Sequence, residues 1–369
     1  MPVYFAPGRV NLIGEHTDYN SGFVFPCALD FGTRLTVTPN GGRTLRFRSE
    51  NMPGQVELPI DSPFRPLPDR SWVNYPLGCI AQLAEQAGGL DTGYDLLFDG
   101  NVPLGAGLSS SASIEVVTAY AFNDLLQLNL DRKRLALIAQ QAEHTYAGVN
   151  CGIMDQFVSA CGRQDNAVFL NCDTLQFDYV PLRLDNVSIV LTNSHSPHRL
   201  DAGTYNRRVS ECKEAVRAIS HVRPIRQLAD LSVSDFNDLQ SAITDEVILR
   251  RARHVVTEIQ RTRDAVTALK DNNLALFGQL MNRSHQSLRD DYEVTGIELD
   301  TLAETAWNVP GVIGSRMTGG GFGGCTVSLV RNEAVDLFRQ TVATAYRQVT
   351  GLQAEFYIAR TGDGARMLS

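Results

Sequence analysis

Short apolar runs separated by polar, glycine-containing loops open the chain, and longer helical patterns follow them. Residues 3–5 and 24–29 read as strands flanking one such loop, and 34–38 and 44–48 continue in short β-like pieces. The pattern turns helical over 73–86, returns to a strand at 94–98, and enters the turn Asp99-Gly100-Asn101. A serine-rich stretch then leads into an apolar helix through Leu128, and a second helix is predicted over 132–146. Strands are predicted at 167–171 and 187–192, and from Tyr205 onward the pattern is helical. Ile248, Ala252, Val255, Ile259, Thr262, Val266 and Leu269 recur at alternating steps of four and three, which is one buried stripe on a long core helix. A glycine cluster at 319–324, a strand at 326–330, a helix and a last strand near Phe356 close the chain. No repeat, low-complexity tract or Pro-, Gly- and Ser-rich linker divides it. With ~100–200 residues per domain as the usual size, two closely packed domains are expected, residues 1–180 and 181–369.

Composition narrows the class. Hydrophobic residues at 43% and charged residues at 20% suit a globular chain, and 369 residues suffice for a core without disulfide or metal staples. A net charge of −8 argues against nucleic acid or an anionic membrane as the main partner. A phosphate site must therefore be local, built from backbone amides and a few cations. The 7 cysteines are scattered without a C-x-x-C pair, which reads as reduced thiols in a cytosol. No charged-then-apolar leader follows Met1, and no apolar run approaches the ~18–20 residues of a membrane helix. A cytoplasmic protein is the expectation.

The strongest local signal is Gly105-Ala106-Gly107-Leu108-Ser109-Ser110-Ser111-Ala112-Ser113. Its glycines let backbone approach an anion, and its serines open a helix, where free N–H groups and the helix dipole favour negative charge. No G-K-S or G-K-T follows, which excludes a Walker loop, and the second glycine of a nucleophile elbow is missing. A glycine turn with serine N-caps remains the alternative. Between the first two strands, Gly8-Arg9-Val10-Asn11-Leu12-Ile13-Gly14-Glu15-His16-Thr17-Asp18-Tyr19-Asn20 converges donors and acceptors suited to a polyhydroxy ligand. A solvated loop is the alternative there, while a zinc site would want more His or Cys ligands nearby. Asp155 lies in an otherwise uncharged loop, as a helix cap or a catalytic base. Glu143 is a surface charge or a magnesium ligand, since magnesium is usually held by one or two carboxylates plus phosphates.

Together these segments resemble the galactokinase family of the GHMP kinases. The run from Gly8 to Asn20 resembles the galactokinase signature almost letter for letter, and 105–113 resembles the family's phosphate motif. Gly319-Gly320-Gly321-Phe322-Gly323-Gly324 resembles its third, glycine-rich motif. Cys151-Gly152-Ile153-Met154-Asp155-Gln156 resembles its catalytic-aspartate loop. Further likeness at Tyr205-Asn206-Arg207-Arg208 and over 284–293 extends it along nearly the whole chain. Gly203 departs from the family, which tends to carry Ser there.

The resemblance implies an α+β fold of two domains, the first similar to a ribosomal protein and the second ferredoxin-like with extra helices. It implies transfer of the γ-phosphoryl group of ATP to the anomeric hydroxyl of α-D-galactose, giving galactose 1-phosphate for galactose metabolism. Asp155 would be the catalytic aspartate and Arg9 its cationic partner. Glu15, His16, Asp18, Gly152 and Tyr205 would line the sugar site. Gly105, Ala106, Gly107, Leu108, Ser109, Ser110 and Ser111 would hold the triphosphate, with Ser111 and Glu143 near Mg2+. Trp72 would stand near the adenine, its alternative being a core aromatic. The expected partners are galactose and ATP, and the expected state is a monomer. The rivals are a kinase for N-acetylgalactosamine or arabinose and a non-catalytic sugar sensor. The serine motif that sensors have damaged is intact here.

Overall fold

The computed structural model describes residues 1–68, 71–103, 107–196 and 202–368. A six-stranded sheet is built from β1 (Val3–Asn11), β3 (Pro26–Pro39), β4 (Thr44–Ser49), β5 (Gln55–Pro59), β6 (Tyr94–Gly100) and β13 (Arg366–Met367). Its order is β13-β1-β3-β6-β4-β5, antiparallel except where β4 runs parallel to β6. Helices α1 (Asn74–Ala87), α2 (Ser110–Leu125), α3 (Arg132–Ala142) and α4 (Met154–Cys161) form its helical layer. The second of these packs on β1 and β3 and against the other three helices, so apolar residues are buried on nearly every face of it. That explains why its sequence reads as apolar throughout.

A small sheet of β2 (Phe23–Val24), β7 (Asn166–Asn171) and β8 (Phe177–Pro181) lies between the halves of the sequence. The carboxy-terminal half has a four-stranded antiparallel sheet in the order β10-β11-β9-β12, from β9 (Val187–Asn193), β10 (Val312–Thr318), β11 (Cys325–Arg331) and β12 (Glu355–Ala359). Against it pack α8 (Leu274–Ser287), α9 (Gly296–Trp307) and α10 (Val335–Thr350), while α7 (Glu246–Lys270) packs on α8 and carries α5 (Ala202–Ser220) and α6 (Val233–Leu239). All seven residues of the predicted stripe on α7 are buried.

Mixed α+β architecture is therefore as expected, and the differences are local. The two predicted pieces 24–29 and 34–38 belong largely to one 14-residue strand, β3. Exposed Asp30 and the glycine after Phe31 interrupt the apolar pattern, while the hydrogen bonding to β1 continues past them. The predicted helix 132–146 is α3 followed by a π turn over Glu143–Ala147, the wide form of turn often found at functional sites. Strand β13 pairs with β1, so the end of the chain returns to the first sheet. One core also joins Val10, Leu12 and Phe25 to Leu191, Phe277, Met281 and Val327, across the expected boundary near residue 180.

Candidate active site

The cavity that gathers the chemistry, of about 600 Å³, lies where loops of both halves meet. Its floor begins at Arg9, whose main-chain N–H bonds the carbonyl of Leu108 at 3.2 Å and so fixes the serine loop against β1. The Arg9 side chain is buried and forked: Nε and Nη2 donate to Asp155 Oδ1 and Oδ2 at 2.8 and 2.7 Å. Nη1 donates to the Gly107 carbonyl at 2.8 Å, so one guanidinium ties aspartate and serine loop together. Burial alone would lower the Arg9 pKa, but Asp155 and Glu15 beside it raise it above the ordinary value. Ser109 Oγ donates to Asp155 Oδ2 at 2.6 Å.

These bonds remove the helix-cap alternative at two positions. Asp155 lies in the first turn of α4, but that helix has no side-chain cap, and the carboxylate faces Arg9 and Ser109 instead. Ser109 precedes α2 with a left-handed φ of 61° and likewise gives its hydroxyl to Asp155 rather than to a cap. Gly107, Leu108, Ser109, Ser110 and Ser111 all line the cavity, whereas Gly105 and Ala106 lie outside the described residues. The third glycine motif closes against this loop. Gly319 has φ +87°, and a Cβ on it would stand 3.0 Å from the Gly107 carbonyl.

Glu15, His16, Asp18, Gly152 and Tyr205 line the same cavity. Glu15 is buried, and its Oε1 accepts from the Gly319 N–H at 2.8 Å and from Arg316 at 3.3 Å, joining the first motif to the third. Burial, then repulsion from Asp155, pushes the Asp18 carboxyl up to about 7. Burial, with His254 and Arg208 nearby, holds His16 well below the usual histidine range, so its ring is neutral. Glu143 reaches the cavity from the π turn, and burial and Asp155 raise it to about 7. Gln156 Nε2 bridges it to buried Glu115, donating at 2.6 and 3.0 Å. Ser111 and Glu143 thus offer hard oxygen donors in a wall rich in carboxylates, a donor set that fits a magnesium ion.

Trp72 is the one described residue of the expected set that the cavity does not gather. It packs edge-to-face on Phe98 with ring centroids 5.5 Å apart, while its neighbours Ser71, Asn74 and Tyr75 line the cavity. Sequence reasoning missed those three, and it missed the supports on α7. Glu258 accepts from the Gly14 N–H at 3.0 Å, and His254 Nε2 bonds the Glu15 carbonyl at 3.2 Å. Their signal was available as two polar residues four apart on a buried helix face, both fully inaccessible.

A two-domain kinase of the GHMP class is what this fold and site define. Residues 74–163 match the GHMP kinases N terminal domain and 265–348 the GHMP kinases C terminal family. Residues 2–39 match the galactokinase galactose-binding signature. A galactokinase of Fusobacterium nucleatum is 50% identical over 98% of this chain and 94% of its own length. A galactokinase of Clostridium acetobutylicum is 46% identical over 100% and 95%. The crystal structure of Lactococcus lactis galactokinase complexed with galactose superposes with a TM-score of 0.96 at 42% identity, covering 100% of this chain and 95% of that one. Methanococcus jannaschii mevalonate kinase shares the fold, with a TM-score of 0.68 at 16% identity. The chain belongs to the galactokinase family.

Proposed function

We propose that the chain transfers the γ-phosphoryl group of ATP to the anomeric hydroxyl of α-D-galactose, releasing galactose 1-phosphate and ADP. The observation that carries this reading is the Arg9–Asp155–Ser109 junction, which sets a half-buried carboxylate between the serine loop and the galactose-signature residues. Phosphoryl transfer asks a protein mainly for positioning and charge stabilisation. Asp155 Oδ2 accepts from both Arg9 and Ser109, which uses its two lone pairs, whereas Oδ1 accepts from Arg9 alone. Oδ1 therefore keeps one acceptor position for the sugar hydroxyl. The guanidinium holds both Asp155 oxygens in place and would offset charge on the transferring group.

The N–H groups at the start of α2 suit the ATP phosphates, and Ser111 and Glu143 suit magnesium. Magnesium held there would neutralise charge on the β- and γ-phosphates. Glu15, His16, Asp18 and Tyr205 would read the sugar, with Gly152 leaving room for Asp18. A coupled ADP-release assay over a panel of free sugars tests the assignment. Galactose should support turnover, and N-acetylgalactosamine, arabinose and glucose should not approach it. ADP release that is independent of sugar, or absent with every sugar, would overturn it.

A further inference from the structure

From the stretches 205–208 and 284–293 the cavity draws Tyr205. Arg208, one turn further along α5, is buried and faces the second stretch instead. Its Nε donates to the carbonyl of Tyr292 at 2.9 Å and its Nη2 to the carbonyl of Glu293 at 3.0 Å. Arg251 of α7 donates through Nη1 to the preceding carbonyl, that of Asp291, at 2.6 Å. Buried Glu211 joins the two arginines, its Oε2 accepting from Arg208 Nη1 at 3.0 Å and from Arg251 Nε at 3.1 Å. Two guanidinium groups therefore take three successive carbonyls where the π turn Leu288–Tyr292 ends and carbonyls lack intrahelical partners.

The next carbonyl along the chain reaches the third glycine motif. Val294 accepts from the Phe322 N–H at 2.7 Å, and the Arg208 guanidinium stands over the Phe322 ring, 5.7 Å from its centroid. Phe322 has a left-handed φ of 58°, a conformation that a bulky residue keeps only where its surroundings impose it. A Cβ on Gly321 would stand 2.2 Å from the same Val294 carbonyl, so motif and turn pack backbone to backbone. The motif is also fixed at its start, where the Gly319 N–H donates to Glu15 and the glycine lies against the Gly107 carbonyl of the serine loop.

We infer that Arg208 is a positioning residue that ties α5 and the third glycine motif to the turn 291–294, and so sets the spacing within the cavity between Tyr205 and Gly319–Gly320. Arg251 and Glu211 hold its guanidinium in register. That Tyr205 serves the sugar while the motif serves the phosphates rests on the function proposed above. The planar fork is what the place requires, since one group must meet two carbonyls in line and still present its face to a ring.

Arg208→Lys in the full-length protein tests this, because it keeps the charge and loses the fork. At a temperature where near-UV circular dichroism shows the variant folded, kcat should fall roughly 10–100-fold while the KM values for galactose and ATP stay within about threefold, the signature of two intact sites set at the wrong spacing. A purely structural role would lower the melting temperature and leave kcat of the folded enzyme unchanged. Amide hydrogen exchange, which needs no substrate, should be faster at Phe322 in the variant and unchanged in β1. A folded Arg208→Lys enzyme with kcat within about twofold of wild type would overturn the inference, as would unchanged exchange at Phe322. If Arg208→Lys does not fold, Phe322→Leu decides: kcat lowered roughly 2–10-fold with both KM values unchanged, the worth of one cation–ring contact, supports the tie, and an unchanged kcat overturns it. Wild-type protein that turns over no galactose would remove the sugar reading alone, and exchange at Phe322 in Arg208→Lys would still decide the tie.

Discussion

Gly152 lies so close to Asp18 that a Cβ built on it would stand 1.9 Å from the carboxylate oxygen Oδ2. No side chain, however small, fits there without moving Asp18. Gly152→Ala should therefore displace the carboxylate by about an ångström and lower kcat/KM for galactose by roughly 10²-fold. The ATP KM should change far less. Steady-state kinetics with each substrate varied in turn checks this, and equal effects on both substrates would mean that Asp18 does not serve the sugar.

Arg9 grips both oxygens of Asp155. Asp155→Ala should cost about 10²–10⁴ in turnover if the carboxylate takes the hydroxyl proton, while galactose binding survives in part. Arg9→Ala should be comparably severe, because it removes the fork that holds both carboxylate oxygens and the tie to the Gly107 carbonyl. Arg9→Lys should be milder, since it keeps the charge but loses the planar pair of hydrogen bonds to Asp155. Turnover near wild type in Asp155→Ala would remove the catalytic assignment.

Ser111 and Glu143 are assigned to the metal and phosphate side. Ser111→Ala and Glu143→Ala should each raise the magnesium concentration needed for half-maximal rate more than the galactose KM. Binding of Mn2+ measured by electron spin resonance should weaken in parallel. Equal shifts in metal and sugar requirements would show that these residues do not hold the metal.

Stability should carry the signature of Asp18. Its folded pKa is raised from 3.8 to about 7, so the folded state binds this proton more tightly than the unfolded chain does. The stabilising contribution is complete below pH ~4 and is lost as pH rises toward 7, where the ionised carboxylate is left facing Asp155. Asp18→Asn removes that ionisation. Its melting temperature relative to wild type should therefore be more favourable at pH 8 than at pH 5, by about 2–4 °C for each kcal/mol relieved. A difference that does not vary with pH, measured by differential scanning calorimetry, would count against the raised pKa.

Much of this site was legible because its pieces are contiguous motifs. Residues 8–20, 105–113, 151–156 and 319–324 each carry their chemistry within a short run, and the cavity draws on all of them. What the sequence hid depends on packing between distant segments. Trp72 has the neighbourhood of a binding residue, yet its ring packs on Phe98 because a strand of the first sheet passes beneath it. Strand β13 is too short for any periodicity, and only its pairing with β1 reveals it. Glu258 and His254 interrupt an apolar stripe in a way that reads as ordinary polarity until Gly14 and Glu15 are seen against them. The π turn that brings Glu143 to the cavity leaves no mark on the hydrophobic pattern, since its width comes from backbone hydrogen bonding.

Phosphorylation of galactose at the anomeric oxygen, with the sugar read through polar groups, leaves a product that identifies itself. Incubation with ATP, magnesium and either galactose or glucose, followed by 31P NMR of the products, tests it most directly. A site built on paired polar groups rejects an epimer that leaves them unpaired by about 10⁴–10⁵ in favourable cases. One sugar product is expected, α-galactose 1-phosphate with its phosphorus coupled to the anomeric proton, and little or no glucose phosphate. Comparable rates with the two sugars, or phosphate carried on the primary hydroxyl, would contradict it.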